Sequence, residues 1–136
     1  MSEIETNQKE TVKPPKFGEV YKCAFYEETI GTEIKGFRPV LIISTKWYNE
    51  ESDRITILPL TRAFNQQGQA KYVYVWEAKV RVANQEGKIL TDQIHNIDKE
   101  RLKEKIGELS NEKIIEVMKK LRMLINFFPG KIKAKL

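Results

Sequence analysis

The sequence has one cysteine, Cys23, and one histidine, His95, among its 136 residues. A single cysteine cannot form an internal disulfide, and these two side chains cannot supply the four ligands of a structural zinc site. No apolar run approaches the roughly 20 residues that cross a bilayer. The first 16 residues also lack the apolar stretch of a secretory signal. We therefore expect a cytoplasmic protein with no metal, no cofactor and no membrane partner.

The common catalytic signatures are missing as well. The chain contains no phosphate-cradling glycine loop, no Gly-x-Ser-x-Gly elbow and no His-Glu-x-x-His motif. Any mechanism that needs two histidines in one protomer is excluded. Cys23 stands in an apparent strand among apolar neighbours, which favours inert packing over nucleophilic chemistry. The catalytic roles that the sequence still allows are charge stabilisation and positioning by Arg, Thr, Glu and Gln side chains.

The composition suits one compact domain. The chain has a mass of 15.9 kDa and is 40% hydrophobic and 32% charged, which allows one packed core but hardly two. Its net charge of +5 lies entirely in positions 98–136, where 11 basic residues face 6 acidic ones. This bias permits nucleic-acid binding without requiring it, since a solvated helix face followed by a soluble tail would have the same excess of basic residues.

Alternating and β-branched patterns predict five or six short strands with turns between them. The candidate strands lie at 17–25, 40–44, 54–61, 71–76, 80–82 and 88–94. The run at 40–44 is too short for a helix and is expected to be buried on both faces. Segments 26–37 and 45–53 are predicted as loops, and 65–69 and 84–87 as turns. Such spacing is typical of a small barrel or sandwich.

After residue 97, the apolar residues recur at the spacing of an α-helix. We expect Asp98 to cap a short helix through Lys105 that Gly107 ends, and Ser110 to cap a longer one that Pro129-Gly130 ends. The longer helix carries an apolar stripe of Ile114, Val117, Met118, Leu121, Leu124, Ile125 and Phe128. The predicted fold is mainly β with a C-terminal α-helix that closes a small antiparallel barrel. A flexible arm at 1–16, one domain at 17–130 and a basic tail at 131–136 complete the expected organisation.

Four segments resemble the motifs of the MazF/PemK toxin family. They are 18–21 (GEVY), 31–43 (GTEIKGFRPVLII), 55–61 (ITILPLT) and 90–102 (LTDQIHNIDKERL). The family pattern has a Gly-Asp/Glu-Val-Tyr opening, then Gly-Ser-Glu-x-x-Gly-x-Arg-Pro-Val, a strand ending in Pro-Leu-Thr, and Asp/Glu-Gln-Ile-x-x-Ile/Val-Asp-Lys-x-Arg-Leu. Each motif alone is moderately specific, but four in order and spacing make a strong resemblance over about residues 17–128. Positions 63–82 match nothing in this pattern.

The resemblance implies an SH3-like barrel that forms a homodimer with an RNA groove along the dimer face. It implies the toxin of a type II toxin–antitoxin system, with a cognate antitoxin as partner. It also implies a metal-independent endoribonuclease that cuts single-stranded RNA and leaves 2′,3′-cyclic phosphate and 5′-hydroxyl ends.

By the same resemblance, Arg38 and Thr61 are the catalytic pair. Physical chemistry agrees, because a planar guanidinium can donate two parallel hydrogen bonds to the oxygens of a five-coordinate phosphorus, and a threonine hydroxyl can donate one more. Arg38 is unsuited as a general base, since its guanidinium stays protonated near neutrality. Which groups move the protons is left open.

The resemblance also suggests residues that contact RNA. Thr32 and Glu33 match a loop beside the cleaved RNA, where a carboxylate can accept from a base amino group. Gln93 matches a position that lines the groove. Phe37 can stack on a base, as aromatic side chains do in single-stranded RNA readers. His95 stands where many members have Arg, which weakens the phosphate contact or makes it depend on pH.

Two other function classes stay open. One is a CcdB-like inhibitor of DNA gyrase on the same barrel fold, and the other is an inactive barrel that only binds nucleic acid. A gyrase inhibitor does not need the Gly-x-x-x-x-Gly-x-Arg-Pro segment with a distant Thr. The presence of both Arg38 and Thr61 therefore favours the nuclease.

Overall fold

Seven strands and two α-helices form the parts of the chain that the computed structural model describes, residues 13–25 and 36–125. In chain order they are β1 (Glu19–Phe25), β2 (Gly36–Ile42), α1 (Lys46–Glu51), β3 (Arg54–Arg62), β4 (Ala78–Val82), β5 (Gln85–Ile89), β6 (His95–Asp98), a 3₁₀ turn (Lys99–Arg101), β7 (Leu102–Glu108) and α2 (Asn111–Leu124). The predicted mainly β fold, an antiparallel barrel with a C-terminal helix, is confirmed; the sheet is a curled half-barrel. None of the helices in these two segments is long and apolar enough to cross a membrane.

Strand β3 organises the sheet. The strand order is β4-β5-β3-β2-β1-β7, every pairing is antiparallel, and β6 joins β3 beside this path. One stretch of β3, 57–59, pairs with β2. Its first residues, 54–57, pair with β6, and its last residues, 60–62, pair with β5. The sheet therefore branches around β3, and the end of β3 reaches the β4–β5 hairpin.

Alternate side chains of the central strands belong to two apolar clusters on opposite faces of the sheet, because successive side chains of a strand point to opposite faces. The first cluster lies under α2 and contains Val20, Leu41, Leu58, Leu60, Ala78, Val80, Ile89, Leu109 and Val117. The second contains Cys23, Val40, Ile42, Ile55, Ile57 and Ile97. Because Leu41 joins one cluster and both Val40 and Ile42 join the other, the run that begins at 40 is buried on both faces, as predicted.

Helix α2 begins where predicted but buries less of its stripe. The Ser110 side chain caps it by accepting a hydrogen bond of 3.2 Å from the Lys113 amide. Val117 and Leu121 are buried, whereas Leu124 at the end of the helix and Ile125 at its C-cap are exposed. The helix ends at Leu124, before the predicted stop. Phe128 and Pro129-Gly130 lie outside the described residues.

Several local predictions were wrong. Segment 71–76 is irregular instead of a strand, and 46–51 is a short helix inside the predicted loop. The turn lies at 83–84, and β5 already begins at Gln85 and ends at Ile89. A new strand, β6, follows at His95. Asp98 caps only a 3₁₀ turn, and the rest of the predicted short helix is strand β7, which pairs with β1 and contains Gly107.

Candidate active site

A cleft of about 530 Å³ opens between β2, the end of β3 and the β4–β5 hairpin. Arg38 of β2 and Thr61 of β3 both line it, although they are far apart in the sequence. Phe37 lies at the same cleft. Its charged lining residues are the cations Lys22, Arg38 and Arg62 and the carboxylates Glu86 and Glu104. The sheet thus brings together the predicted catalytic pair and one of the five predicted RNA contacts.

Arg38 lies where β2 has one neighbour among the strands that the structure describes. It pairs with Cys23 of β1, whereas the β2–β3 ladder begins two residues later, at Val40. Within residues 13–25 and 36–125 its guanidinium has no ion-pair or hydrogen-bond partner. A half-buried guanidinium that forms no ion pair with the described carboxylates favours an anionic ligand, since it presents a fixed fork of N–H donors.

Thr61 is held by close packing of its backbone against β5. It pairs with Lys88 in the β3–β5 ladder, and Gly87, the residue before Lys88, pairs with Arg62. A Cβ atom added to Gly87 would stand 2.6 Å from the Thr61 carbonyl oxygen, closer than real Cβ atoms approach. The backbone at Thr61 therefore occupies its position only because residue 87 has no side chain.

Lys71 contacts Thr61 and was missed by the sequence analysis. Its Nζ donates a hydrogen bond of 3.1 Å to Thr61 Oγ1. The contact forms because residues 61–71 fold back on themselves: the Lys71 amide donates to the Ala63 carbonyl at 2.8 Å, and Phe64 bridges Ala70. The predicted turn at 65–69 was the one signal that could have placed residue 71 near residue 61.

Positive charge accumulates around this contact. The pKa of Lys71 lies below its usual value, first because the amine is partly buried and then because the charges of Arg38, Lys88 and Arg62 disfavour another cation. Lys88 has a carboxylate partner, Glu77, whereas among the described residues Lys71 has none. The region around Thr61 is therefore suited to a bound anion.

Phe37 presents a flat apolar surface at the cleft. Its side chain is 64% exposed, unusual for a phenylalanine, and Lys22 Nζ lies 5.2 Å from the ring centroid. An exposed ring beside cations is the arrangement on which an unpaired base stacks while its phosphate is neutralised.

The other predicted RNA contacts lie elsewhere. Gln93 and His95 do not line the cleft. His95 lies on β6 opposite Ile57, its Nδ1 is 2.8 Å from the Gln93 carbonyl oxygen, and its ring meets the Phe25 ring edge-on at 5.6 Å. Thr32 and Glu33 lie outside the described residues. The structure therefore joins Phe37, but neither Gln93 nor His95, to Arg38 and Thr61.

The sequence of the chain matches a known class of protein. Residues 16–125 match the family described as PemK-like, MazF-like toxin of type II toxin-antitoxin system. The chain is 35% identical to Endoribonuclease MazF of Staphylococcus epidermidis over 100 residues, which cover 74% of this chain and 82% of that relative. Endoribonuclease MazF of Staphylococcus saprophyticus is 34% identical over the same shares. The chain belongs to the PemK/MazF toxin family, as its motifs predicted.

Solved structures support the fold. The crystal structure of MazF from Deinococcus radiodurans has a TM-score of 0.67 at 23% identity, over 83% of this chain and 97% of that one. An endoribonuclease from a mycobacterial species, solved in complex with its cognate antitoxin, has a TM-score of 0.61 at 20% identity, over 80% and 92% of the two chains. The half-barrel with its C-terminal helix is thus the fold of these toxins.

Proposed function

We propose that this chain is the toxin of a type II toxin–antitoxin system and an endoribonuclease that cleaves single-stranded RNA in the cleft of Arg38 and Thr61. The observation that carries the proposal is that these two residues line one cleft, with Phe37 exposed at it and Lys71 hydrogen-bonded to Thr61. Both staphylococcal relatives named above are MazF endoribonucleases.

The proposed reaction needs no metal. The 2′-hydroxyl of one nucleotide attacks the adjacent phosphorus, and the bond from phosphorus to the 5′-oxygen breaks. The products are a 2′,3′-cyclic phosphate and a 5′-hydroxyl, the attacking hydroxyl losing its proton to water and the leaving oxygen gaining one from water. Arg38 donates to two phosphoryl oxygens, and the Thr61 hydroxyl donates to another. These donors stabilise the extra negative charge of the five-coordinate phosphorus, the role of a preorganised oxyanion site.

The remaining proposed features follow from the family. Phe37 stacks on a base next to the cut, and Thr32 and Glu33 also contact the RNA. Gln93 and His95, which lie outside the cleft, contact nucleotides further from the cut. We also propose one barrel domain over residues 17–130, a homodimer, a cytoplasmic location and a cognate antitoxin. The antitoxin of the mycobacterial neighbour supports that last proposal.

The test is incubation of purified, antitoxin-free protein with a mixed-sequence RNA in EDTA, beside Arg38→Ala and Thr61→Val. The wild type should cut at a short sequence and leave cyclic-phosphate ends, and a 2′-deoxy substitution at the cut should abolish cleavage. Each variant should lose roughly 100-fold in rate, as when an oxyanion donor is removed. If folded wild-type protein left every RNA intact, the nuclease proposal would be wrong, and inhibition of DNA gyrase supercoiling would be measured next.

A further inference from the structure

We propose that Lys71 is a positioning residue for Thr61: its ammonium group holds the Thr61 hydroxyl so that the hydroxyl hydrogen points at the scissile phosphate. This inference rests on the proposed ribonuclease function. It concerns a residue in the stretch 63–82, which carries none of the four family motifs.

The direction of the hydrogen bond carries the argument. Lys71 Nζ and Thr61 Oγ1 are 3.1 Å apart. A protonated lysine amine has three N–H donors and no acceptor, so the hydroxyl oxygen must accept in this contact. The single hydroxyl hydrogen of Thr61 is then left to donate to another group. Without Lys71 the hydroxyl can rotate and lose this orientation, as threonine hydroxyls do when they bond to nearby backbone carbonyls.

Backbone contacts on both sides hold Lys71 in place. Its amide donates to the Ala63 carbonyl at 2.8 Å, which closes the hairpin of residues 61–71. The carbonyl of the next residue, Tyr72, accepts a hydrogen bond of 2.7 Å from Lys88 Nζ. Lys88 is also the register partner of Thr61. The donor and the hydroxyl that it orients are therefore fixed to the same strand, β5, which is what a preorganised site requires.

The charge around Lys71 is unbalanced in the free protein. Burial and the charges of Arg38, Lys88 and Arg62 all lower the pKa of Lys71. Glu77 neutralises Lys88 at 2.7 Å, but no carboxylate of the described segments pairs with Lys71. A phosphate beside Thr61 supplies the missing negative charge. It gains a further negative charge in the transition state, so the stabilisation grows as the reaction proceeds.

The test separates positioning from a structural role. Lys71→Met, Lys71→Arg, Thr61→Val and the Lys71→Met/Thr61→Val double variant are compared with wild type in single-turnover cleavage of a short RNA at saturating protein. Affinity is measured on the same RNA with a 2′-deoxy sugar at the cut. Lys119→Met is the matched control, because Lys119 is an exposed lysine on α2 that lines neither the cleft of Arg38 and Thr61 nor the pocket beside Lys71, and its loss changes the net charge equally.

We expect Lys71→Met to cut roughly 10- to 100-fold more slowly, as expected for the loss of a hydrogen bond from a charged donor beside reacting oxygens. Affinity for the 2′-deoxy RNA should fall only about threefold, because a single phosphate contact contributes little. Lys71→Arg should recover most of the rate. In the Thr61→Val background, Lys71→Met should have almost no further effect, since the hydroxyl that Lys71 orients is absent.

Three results would overturn the inference: a wild-type rate in Lys71→Met, equal losses of rate and affinity, or independent effects of the two substitutions. Thermal unfolding of each variant identifies a folding defect. If Lys71→Met has such a defect, the cleavage rate of Lys71→Arg tests the inference, because that variant keeps the positive charge and the N–H donors. A wild-type protein that cuts no RNA would instead contradict the proposed function, so the two failures are distinguishable.

Discussion

Lys88 and Glu77 form a buried ion pair, with 2.7 Å between Nζ and Oε1 and side chains only 9% and 4% exposed. The pair joins β5 to the irregular segment 71–77. Lys88 also donates to the Tyr72 carbonyl at 2.7 Å, and Glu77 accepts from the Tyr74 amide at 3.0 Å. Because Lys88 pairs with Thr61 in the sheet, this contact fixes the segment that carries Lys71 against the candidate active site.

Removal of the carboxylate charge should be costly. Glu77→Gln leaves the Lys88 ammonium buried without its counter-charge, so we expect the free energy of unfolding to fall by about 3 kcal/mol. Urea unfolding measures the change. The control is Glu50→Gln in the exposed Lys46–Glu50 pair at 3.8 Å, which should be nearly neutral. Equal effects of the two substitutions would contradict a structural role for the buried pair.

A side chain at Gly87 should displace Thr61. Because the added Cβ would meet the Thr61 carbonyl oxygen at 2.6 Å, the backbone must shift in Gly87→Ala. We expect cleavage to slow roughly 10- to 100-fold, as misplaced catalytic groups do, and stability to fall by about 1–3 kcal/mol. Single-turnover experiments measure the cleavage rate, and urea unfolding measures the stability.

The matched control for this variant is Gly107→Ala, also within a strand. Its added Cβ would meet only the Val82 side chain, Cγ1 at 2.9 Å. A side-chain methyl can move more easily than a backbone carbonyl, so the cleavage rate should change much less. A loss as large as that of Gly87→Ala would show that the contact with Thr61 is not the cause.

The Phe37 ring should contribute to RNA binding and little to stability. Its 64% exposure means that truncation removes little packing. Phe37→Ala should weaken binding of a 2′-deoxy, uncleavable RNA roughly tenfold, the typical value of one base–aromatic stack. Phe37→Trp keeps a stacking face and should bind like wild type. Fluorescence anisotropy gives the affinities, and wild-type affinity in Phe37→Ala would exclude stacking.

Cys23 should be unreactive in the folded protein. Burial raises the pKa of its thiol to about 11, against the opposing charges of Arg101 and Lys103. At pH 8 the thiolate, the reactive form, is therefore scarce, and the sulfur is also inaccessible. Labelling with a thiol reagent should proceed only on unfolding in urea. Rapid labelling of the folded protein at pH 8 without urea would contradict the buried position.

Sequence patterns predicted the fold where local periodicity and burial agree. Strands β1 and β3 and the start of helix α2 are such cases. Strand β2 is one only in part, because it runs from Gly36 to Ile42 and so begins inside the predicted loop 26–37 and ends before the predicted residue 44. The spacing of Leu102 and Ile106 was misleading, because in β7 the two side chains pack against different apolar clusters, Leu102 against the second and Ile106 against the first. Pairing of β7 with β1 decides in favour of the strand. In segment 71–76 the β-forming residues suggested a strand. In the structure, however, the Tyr72 and Trp76 carbonyls accept hydrogen bonds from the side chains of Lys88 and Thr91, not from the backbone of a neighbouring strand.

The candidate site was predictable only as far as the motifs reach. Arg38, Phe37 and Thr61 lie in matched segments, and the sheet brings them to one cleft. Lys71 was not predictable from a motif, because its contact with Thr61 depends on the fold of the whole 61–71 hairpin. Gln93 and His95 lie in a matched segment too, yet β6 carries His95 to the other end of β3, opposite Ile57. The order of the motifs in the sequence does not predict that β3 pairs with β6 at one end and with β5 at the other.

The β4–β5 hairpin offers a test of backbone strain at the rim of the cleft. Its two-residue turn, Ala83 and Asn84, has φ of 52° and 62°, values that match a type I′ turn. Asparagine tolerates the left-handed region, but alanine is disfavoured there because its Cβ crowds the following carbonyl oxygen. Ala83→Gly should therefore raise the free energy of unfolding by about 0.5–1 kcal/mol, after allowance for the greater chain entropy of glycine.

Ala70→Gly should have the opposite effect. Ala70 bridges Phe64 and has no left-handed φ, so glycine there only adds entropy to the unfolded chain and should lower the free energy of unfolding by about 0.5–1 kcal/mol. Urea unfolding of the two variants compares the same chemical change at two backbone conformations. Effects of the same sign would mean that residue 83 does not adopt the left-handed conformation in solution, and the hairpin would then join β4 to β5 by a different turn.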